Sequence, residues 1–439
     1  MTSFTFLHCA DLHLGSSLKR LKLRASSAVN QNVETVKYAT RQAFSNLIDK
    51  AIANRVDFIV MAGDIFDGQL KDMSTGLFFA NKLATLKEHG IHTFIVWGNH
   101  DAECQFATHI SLEDEYVHVF ASDQPQSLRI DGLPDVVLHG QSYEIKEVSE
   151  NLASAYPKPV DGAFNIGVLH TNVGDSTGHA NYAPSSVSQL KNFGYQYWAL
   201  GHVHSYKQLS DNELAYIVYP GNLQGRHIRE TGSKGAVLVE VQDNRVQSCV
   251  PIACNCVEWH DIHFEIGDDI QSMDDLMDGL KQRVIETVGP DTCHVVRVTL
   301  CGRTSLHGEL HSQKNLADED LEEVLELKIQ TSKSTVFVES VVLATEDPSN
   351  LSAAINESEL ADFFKVLESD DAKTEIEESL RKTFQKLKGN IPSELKVPDH
   401  PELRPSQDPE LRLLLDAELS SLTSGSIELL KNMLAEEAN

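Results

Sequence analysis

The sequence predicts an α/β fold, on two observations. Short runs rich in β-branched and aromatic residues alternate with segments whose apolar residues recur every three or four positions. Several of those runs also stop abruptly at glycine, aspartate, asparagine or histidine, most clearly His92-Thr-Phe-Ile-Val-Trp97 before Gly98-Asn99-His100-Asp101. An amide, an imidazole and a carboxylate in succession have little use in a core. They are expected on a loop at a strand's carboxyl end, where open α/β sheets place their ligands.

The elements follow in order. Residues 4–8 read as a buried strand and residues 10–15, Ala-Asp-Leu-His-Leu-Gly, as a polar turn. The basic segment that follows contains Lys19, Arg20, Lys22 and Arg24, and is either a solvated loop or a loop that tracks phosphates. Residues 31–54 show the periodicity of an amphipathic helix through Val33, Val36, Ala43, Phe44, Leu47 and Ile48. Residues 57–62 form the next strand, ending in Gly63-Asp64-Ile65-Phe66-Asp67, and a helix over 74–89 leads to the strand before Asn99. Short strands near 117–120, 127–130 and 136–140, separated by turns, resemble a meander. Residues 164–169 and 195–200 are buried strands ending at His170 and at Gly201-His202-Val203-His204, and residues 236–241 and 246–252 pair across the turn Asp243-Asn244. After Cys254, strands at 257–266, 294–301 and 336–344 alternate with helices at 273–288 and 318–327, which predicts a small α+β domain. Helices are expected at 357–367, 374–387, 409–422 and 427–435, with a Pro-containing linker over 390–405. The last pair, apolar on one side through Leu411, Leu414, Leu415, Leu429 and Leu430, either packs on its own domain or binds a partner.

A chain of 439 residues exceeds the size at which one core stops growing, so two or three domains are expected. The net charge of -28 is uneven: residues 1–250 carry 20 basic and 26 acidic side chains, residues 251–439 carry 17 and 39. The near-balanced first part can present a local basic patch to nucleic acid, which a uniformly acidic surface would repel. Seven scattered cysteines without a C-x-x-C spacing point away from a disulfide framework or a thiolate zinc site, and no apolar run reaches the roughly 18 residues of a membrane span. With no signal-peptide pattern at the N-terminus, a cytoplasmic location is expected.

Asp11 and His13, Asp64, Asn99 and His100, His170, and His202 and His204 thus come from five strand ends. Two divalent cations about 3.5–4 Å apart need a carboxylate to dampen their repulsion, further oxygen and nitrogen ligands, and open positions for water and substrate. Aspartate, neutral imidazole and one amide oxygen suit Mn²⁺, Fe²⁺ or Zn²⁺, and cleavage of phosphate esters is the natural use of such a pair.

These motifs, Asp11-x-His13, Gly63-Asp64, Gly98-Asn99-His100-Asp101, His170 and Gly201-His202-x-His204, resemble the calcineurin-like metallophosphoesterase superfamily over about residues 1–250. The flanks His8-Cys-Ala-Asp-Leu-His-Leu-Gly15, Gly63-Asp-Ile-Phe-Asp67 and Tyr219-Pro-Gly-Asn-Leu-Gln-Gly-Arg-His227 resemble SbcD-type DNA-repair nucleases, and within them the YhaO-like branch. The resemblance implies an αββα sandwich: a metallophosphoesterase domain over 1–253, an α+β capping domain over 254–347 and an acidic helical region over 348–439. It implies that Asp11, His13, Asp64 and His204 hold one metal, that Asp64 bridges, and that Asn99, His170 and His202 complete the other. His100 would act at the scissile phosphate with Asp101 as its orienting neighbour, and Lys19, Arg20, Lys22, Arg226 and Arg229 would touch substrate. His227 is a candidate of the same kind, and Asp67 is left open as a residue behind the ligands or on the DNA side. The activity implied is a DNA exonuclease, with endonuclease action left open, that uses two Mn²⁺ ions, works with an SMC-like ATPase of the YhaN or SbcC kind, and forms a homodimer. The alternative is a phosphatase or nucleotide phosphodiesterase on the same core.

Overall fold

Two six-stranded sheets and one three-stranded sheet organise the protein, in a computed structural model that describes residues 3–16, 18, 36–68, 73–104, 112–174, 182–212, 215–289, 292–316, 318–329, 335–347, 366 and 369–389. The first sheet has the order β12-β11-β1-β2-β3-β4, with β1 Ser3–Cys9, β2 Phe58–Ala62, β3 His92–Val96, β4 Val117–Val119, β11 Gly235–Gln242 and β12 Arg245–Ala253. The second has the order β5-β6-β7-β8-β10-β9, with β5 Gln126–Ile130, β6 Leu133–Gly140, β7 Phe164–His170, β8 Tyr197–Gly201, β9 Lys207–Asn212 and β10 Ala215–Tyr219.

Three apolar layers explain the sandwich. Phe4, Phe6, Phe58, Val60, Phe94 and Val96 of the first sheet meet Val136, Leu138, Phe164, Ile166, Val168 and Tyr197 of the second. The first sheet's other face, through Leu7, Ile59, Met61 and Ile95, is covered by helices α1 Ala39–Ala53 and α2 Met73–Glu88. The second sheet's other face, through Leu169, Trp198, Leu200 and Ile217, takes Leu190 of α3 Val187–Phe193. Strands β2, β3, β7 and β8 are buried at every position, as near-continuous apolar runs in a doubly covered parallel sheet should be.

Strand direction places the site. β1, β2 and β3 are mutually parallel, as are β7 and β8, so the five loops carrying the ligand-type residues emerge on one edge.

The predicted hairpin is present: Asp243 and Asn244 both have positive φ, 53° and 58°, as a two-residue primed turn requires. The expected meander is not. β4 joins the first sheet parallel to β3, whereas β5 and β6 pair antiparallel and open the second, so the chain changes sheets between β4 and β5. Strand β9, Lys-Gln-Leu-Ser-Asp-Asn, carries no apolar signal because it is an edge strand.

The third sheet, β13 Val257–Glu265, β14 Cys293–Arg303 and β15 Thr335–Glu346, alternates along the chain with α4 Met273–Thr287, α5 His307–Leu316 and α6 Asp318–Ile329, and α4 packs on β13 and on α6. Trp259 joins it to the sandwich by donating Nε1–H to the Gly225 carbonyl at 2.9 Å. The chain divides into two compact units, Met1–Gly302 with Glu309–Ala344, and Arg303–Gly308 with Thr345–Asn439. Within the second, Arg303 pairs with Glu346 and α7 Asp370–Gly389 begins after Ser369, whose hydroxyl accepts from Ala372 N. The predicted helices at 409–422 and 427–435 lie outside the described residues, as does 357–367 apart from Val366.

His8 ties the two large sheets together in the core. Its Nε2–H donates to the Leu200 carbonyl at 3.1 Å and its Nδ1 accepts from the Tyr197 hydroxyl at 3.0 Å. Burial lowers its pKa from 6.5 to about 3, against the opposing pull of the Leu200 carbonyl, so it is neutral in the fold. Its contribution is fully present above the unfolded value of 6.5 and is lost as pH falls toward about 3. His8→Leu, which removes the hydrogen bonds to the Leu200 carbonyl and the Tyr197 hydroxyl, should cost about 2 kcal/mol at pH 7.5. Urea unfolding at pH 5 should narrow the gap to wild type by about 2 kcal/mol, because the unfolded variant has no imidazole to protonate; an unchanged gap would refute a neutral buried His8.

Candidate active site at the strand ends

Four of the seven predicted ligands sit in left-handed backbone: Asp11 at φ 52°, His13 at 43°, Asp64 at 52° and His202 at 104°. Such conformations are costly for non-glycine residues and persist where the surroundings fix them. Here the first two loops are laced together, with Asp11 N–H donating to the Gly63 carbonyl and His13 N–H to the Asp64 carbonyl, both at 3.0 Å. The Asp11 carboxylate in turn accepts the His202 N–H at 3.0 Å, fastening the loop after β8 to the loop after β1.

All seven residues converge. Asp11, His13 and His204 bring ligand atoms within 4.8 Å of one another, and Asp11, Asp64 and His170 do the same. Asp64 Oδ2 lies 3.5 Å from His170 Nε2 and 3.9 Å from His13 Nε2, between the two groups. Asn99 Oδ1 is 3.0 Å from His170 Nε2, and the His202 ring stands edge-on to His170 with centroids 5.3 Å apart.

The partners of the imidazoles decide what they present. His170 Nδ1–H donates to the Ala62 carbonyl at 2.9 Å, His204 Nδ1–H to Glu230 Oε1 at 2.7 Å, and His13 turns Nδ1 toward Asp67 at 3.4 Å. Three Nε2 lone pairs and two carboxylates therefore face a common space, with His13 and His204 Nε2 atoms 3.2 Å apart. Burial lowers His13 to about 3 and also lowers His170, so neither supplies positive charge. Burial and the nearby Asp64 push Asp11 up, while Asp64, whose carboxylate accepts the His100 N–H, is held low. Acceptors crowded against acceptors at one place fit divalent metal ions.

Two expectations change on this geometry. Asp101 does not orient His100: its oxygens accept the backbone N–H groups of Phe66, Gly98 and Ile65 at 2.8, 2.9 and 3.1 Å, so it holds the loops after β2 and β3 together. Burial, then Asp64, push it up to about 8. The carboxylate facing His100 is Asp67, 3.6 Å from its Nδ1. Arg226, expected on substrate, is buried beside Asp67 and Glu230, with Nη1 3.5 Å from the first and Nη2 3.8 Å from the second. Arg229 is exposed, His227 is partly exposed with Nε2 3.5 Å from Glu230, and Lys19, Arg20 and Lys22 lie outside the described residues. Glu230, which sequence reading missed, binds His204 and also accepts from Arg226 N–H and Asn222 Nδ2 at 2.7 and 3.0 Å.

Fold and donor set together define a metal-dependent phosphoesterase. Residues 4–206 match the calcineurin-like phosphoesterase family, and residues 259–346 match the middle domain of metallophosphoesterase YhaO. The chain is 33% identical over 388 residues to the uncharacterized metallophosphoesterase YhaO of Bacillus subtilis, covering 84% of this chain and 91% of that protein. It is 27% identical over 252 residues to the DNA double-strand break repair protein Mre11 of Sulfurisphaera tokodaii, covering 55% and 60%, and 24% identical over 308 residues to that of Archaeoglobus fulgidus, covering 65% of each. This chain belongs to the YhaO family of calcineurin-like metallophosphoesterases, whose core uses a dinuclear metal site. Among the described residues no helix is long and apolar enough to cross a membrane.

A ligand role for His204 predicts that Glu230→Gln, which removes the charged partner of Nδ1, weakens Mn²⁺ binding roughly 10–100-fold in equilibrium dialysis; wild-type affinity would exclude that role. Gly98→Ala should lose metal altogether, since a Cβ there would fall 2.7 Å from Asp64 N and into its carboxylate. Metal per chain measured on the folded variant gives the answer, and full occupancy would contradict the packing.

Proposed function

We propose that this chain is a DNA nuclease that hydrolyses phosphodiester bonds with two Mn²⁺ ions, acting as an exonuclease in DNA repair. Asp11, His13, Asp64 and His204 would hold one ion and Asn99, His170 and His202 the other, with Asp64 shared. The single observation that carries the reading is His100. Its ring is 37% exposed at the mouth of the buried donor cluster, while its backbone N–H is pinned to Asp64 Oδ1 at 2.9 Å. The ring can therefore reach a phosphate outside the cluster without leaving it.

When bound, the ions polarise phosphoryl oxygens and lower the pKa of an attacking water. The chain's own residues do the rest. At Asp67 burial favours the neutral form, but His13, Arg226 and His100 outweigh it and keep the carboxylate ionised. It is placed to take the Nδ1–H of His100, which turns Nε2 toward the leaving oxygen as proton donor. Asp101 keeps that loop in register.

DNA as substrate is supported by the Mre11 relatives, whose names state a role in double-strand break repair. Arg229, His227 and the segment with Lys19, Arg20 and Lys22 are the proposed DNA contacts. Residues 254–347 would cap the phosphoesterase domain of residues 1–253. The acidic region over 348–439 would engage an SMC-like ATPase in the cytoplasm, with a homodimer as the assembly.

Asp64→Asn and His100→Leu should each abolish Mn²⁺-dependent cleavage of DNA with defined ends, and metal should be lost only from the first. Equal metal loss would remove His100 from its role. Wild-type protein that hydrolyses small phosphodiesters but leaves single- and double-stranded DNA intact would favour a phosphatase or nucleotide phosphodiesterase.

A further inference from the structure

The small sheet carries a second convergence of ligand-type side chains, away from the strand ends of the sandwich. β13 and β14 pair in parallel, with Glu258 opposite His294 and His260 opposite Val296. Val257, Trp259, Cys293 and Val295 pack with Val36, Ala39 and Phe337 on one face. Strand alternation puts Glu258, His260 and His294 on the other. There His260 Nε2 lies 3.0 Å from His294 Nδ1, and the three side chains offer ligand atoms all within 4.8 Å of one another.

The tautomer of His294 is set by its surroundings. Its Nε2 is 2.9 Å from both the Gly289 carbonyl, which can only accept, and the Thr292 hydroxyl, which can also accept, so that nitrogen carries the proton and Nδ1 faces His260 with a lone pair. Two nitrogens bound at about 2.1 Å and at the tetrahedral angle lie about 3.4 Å apart, only a few tenths of an ångström beyond the observed spacing. Buried His294 anchors the cluster, and half-buried Glu258 and His260 leave an ion a way in.

We propose that Glu258, His260 and His294 form a metal site that takes one transition-metal ion of the zinc class. Two imidazoles and a carboxylate suit that ion and leave a coordination position open, and a ligand imidazole whose far N–H is held by a carbonyl is oriented as metal-bound histidines are. The ion would clamp β13 to β14. Without it, His260 Nε2–H would donate to His294 Nδ1, and the pair would be an ordinary hydrogen bond.

Zinc alone, dialysed against the full chain, separates the two. Wild type should hold about one zinc ion per chain more than His260→Gln, and Asp64→Asn, altered at the strand-end site, should keep that extra ion. Glu258→Gln, at a half-exposed position, should weaken the same uptake by at least about tenfold while circular dichroism stays native. Equal zinc content in wild type and both folded variants of the cluster would overturn the site and leave the hydrogen bond.

Discussion

Buried acceptors meet at one edge of this sandwich, and much of the local structure exists to hold them there. Asp11 and Asp64 are almost fully buried, and the imidazoles around them are fixed with their lone pairs inward by the Ala62 carbonyl, Glu230 and Asp67. Such an arrangement opposes folding on its own, since uncompensated carboxylates in a low dielectric are expensive. Four left-handed residues add to that cost, and the hydrogen bonds that lace the loops after β1 and β2 hold them in place against it. A bound divalent cation pair would supply the missing charge and would link metal binding to the order of these loops.

Register carries this edge across both sheets. His170 closes β7, and its Nδ1 reaches Ala62 at the end of β2 in the other sheet, with His8 bridging β1 to β8 beneath it. Glycine keeps the approach possible: a Cβ at Gly201 would strike the Ala62 carbonyl, and one at Gly98 the Asp64 backbone. Close packing of the sheets and the spacing of the ligands are thus one constraint.

The part of this legible in sequence was the part written in short-range pattern. Apolar runs ending at Asp64, Asn99, His170 and His202 announced strands and their carboxyl ends, because parallel strands buried on both faces leave that mark. Pairings between distant loops left no such mark. Glu230 lies 26 residues beyond His204, and nothing local says that its carboxylate returns to Nδ1. Asp101 is adjacent to His100, yet it turns back to the backbone of Ile65 and Phe66 while Asp67 takes its place. Strand β9 escaped because an edge strand has no buried face to advertise, and the meander was misread because turns do not reveal a change of sheet.

Crystals grown with Mn²⁺ and measured at its absorption edge would test the metal centre most directly. Two anomalous peaks per chain should appear at the strand ends, about 3.5–4 Å apart with the Asp64 carboxylate between them. A single peak, or peaks away from Asp64, would contradict a shared dinuclear site.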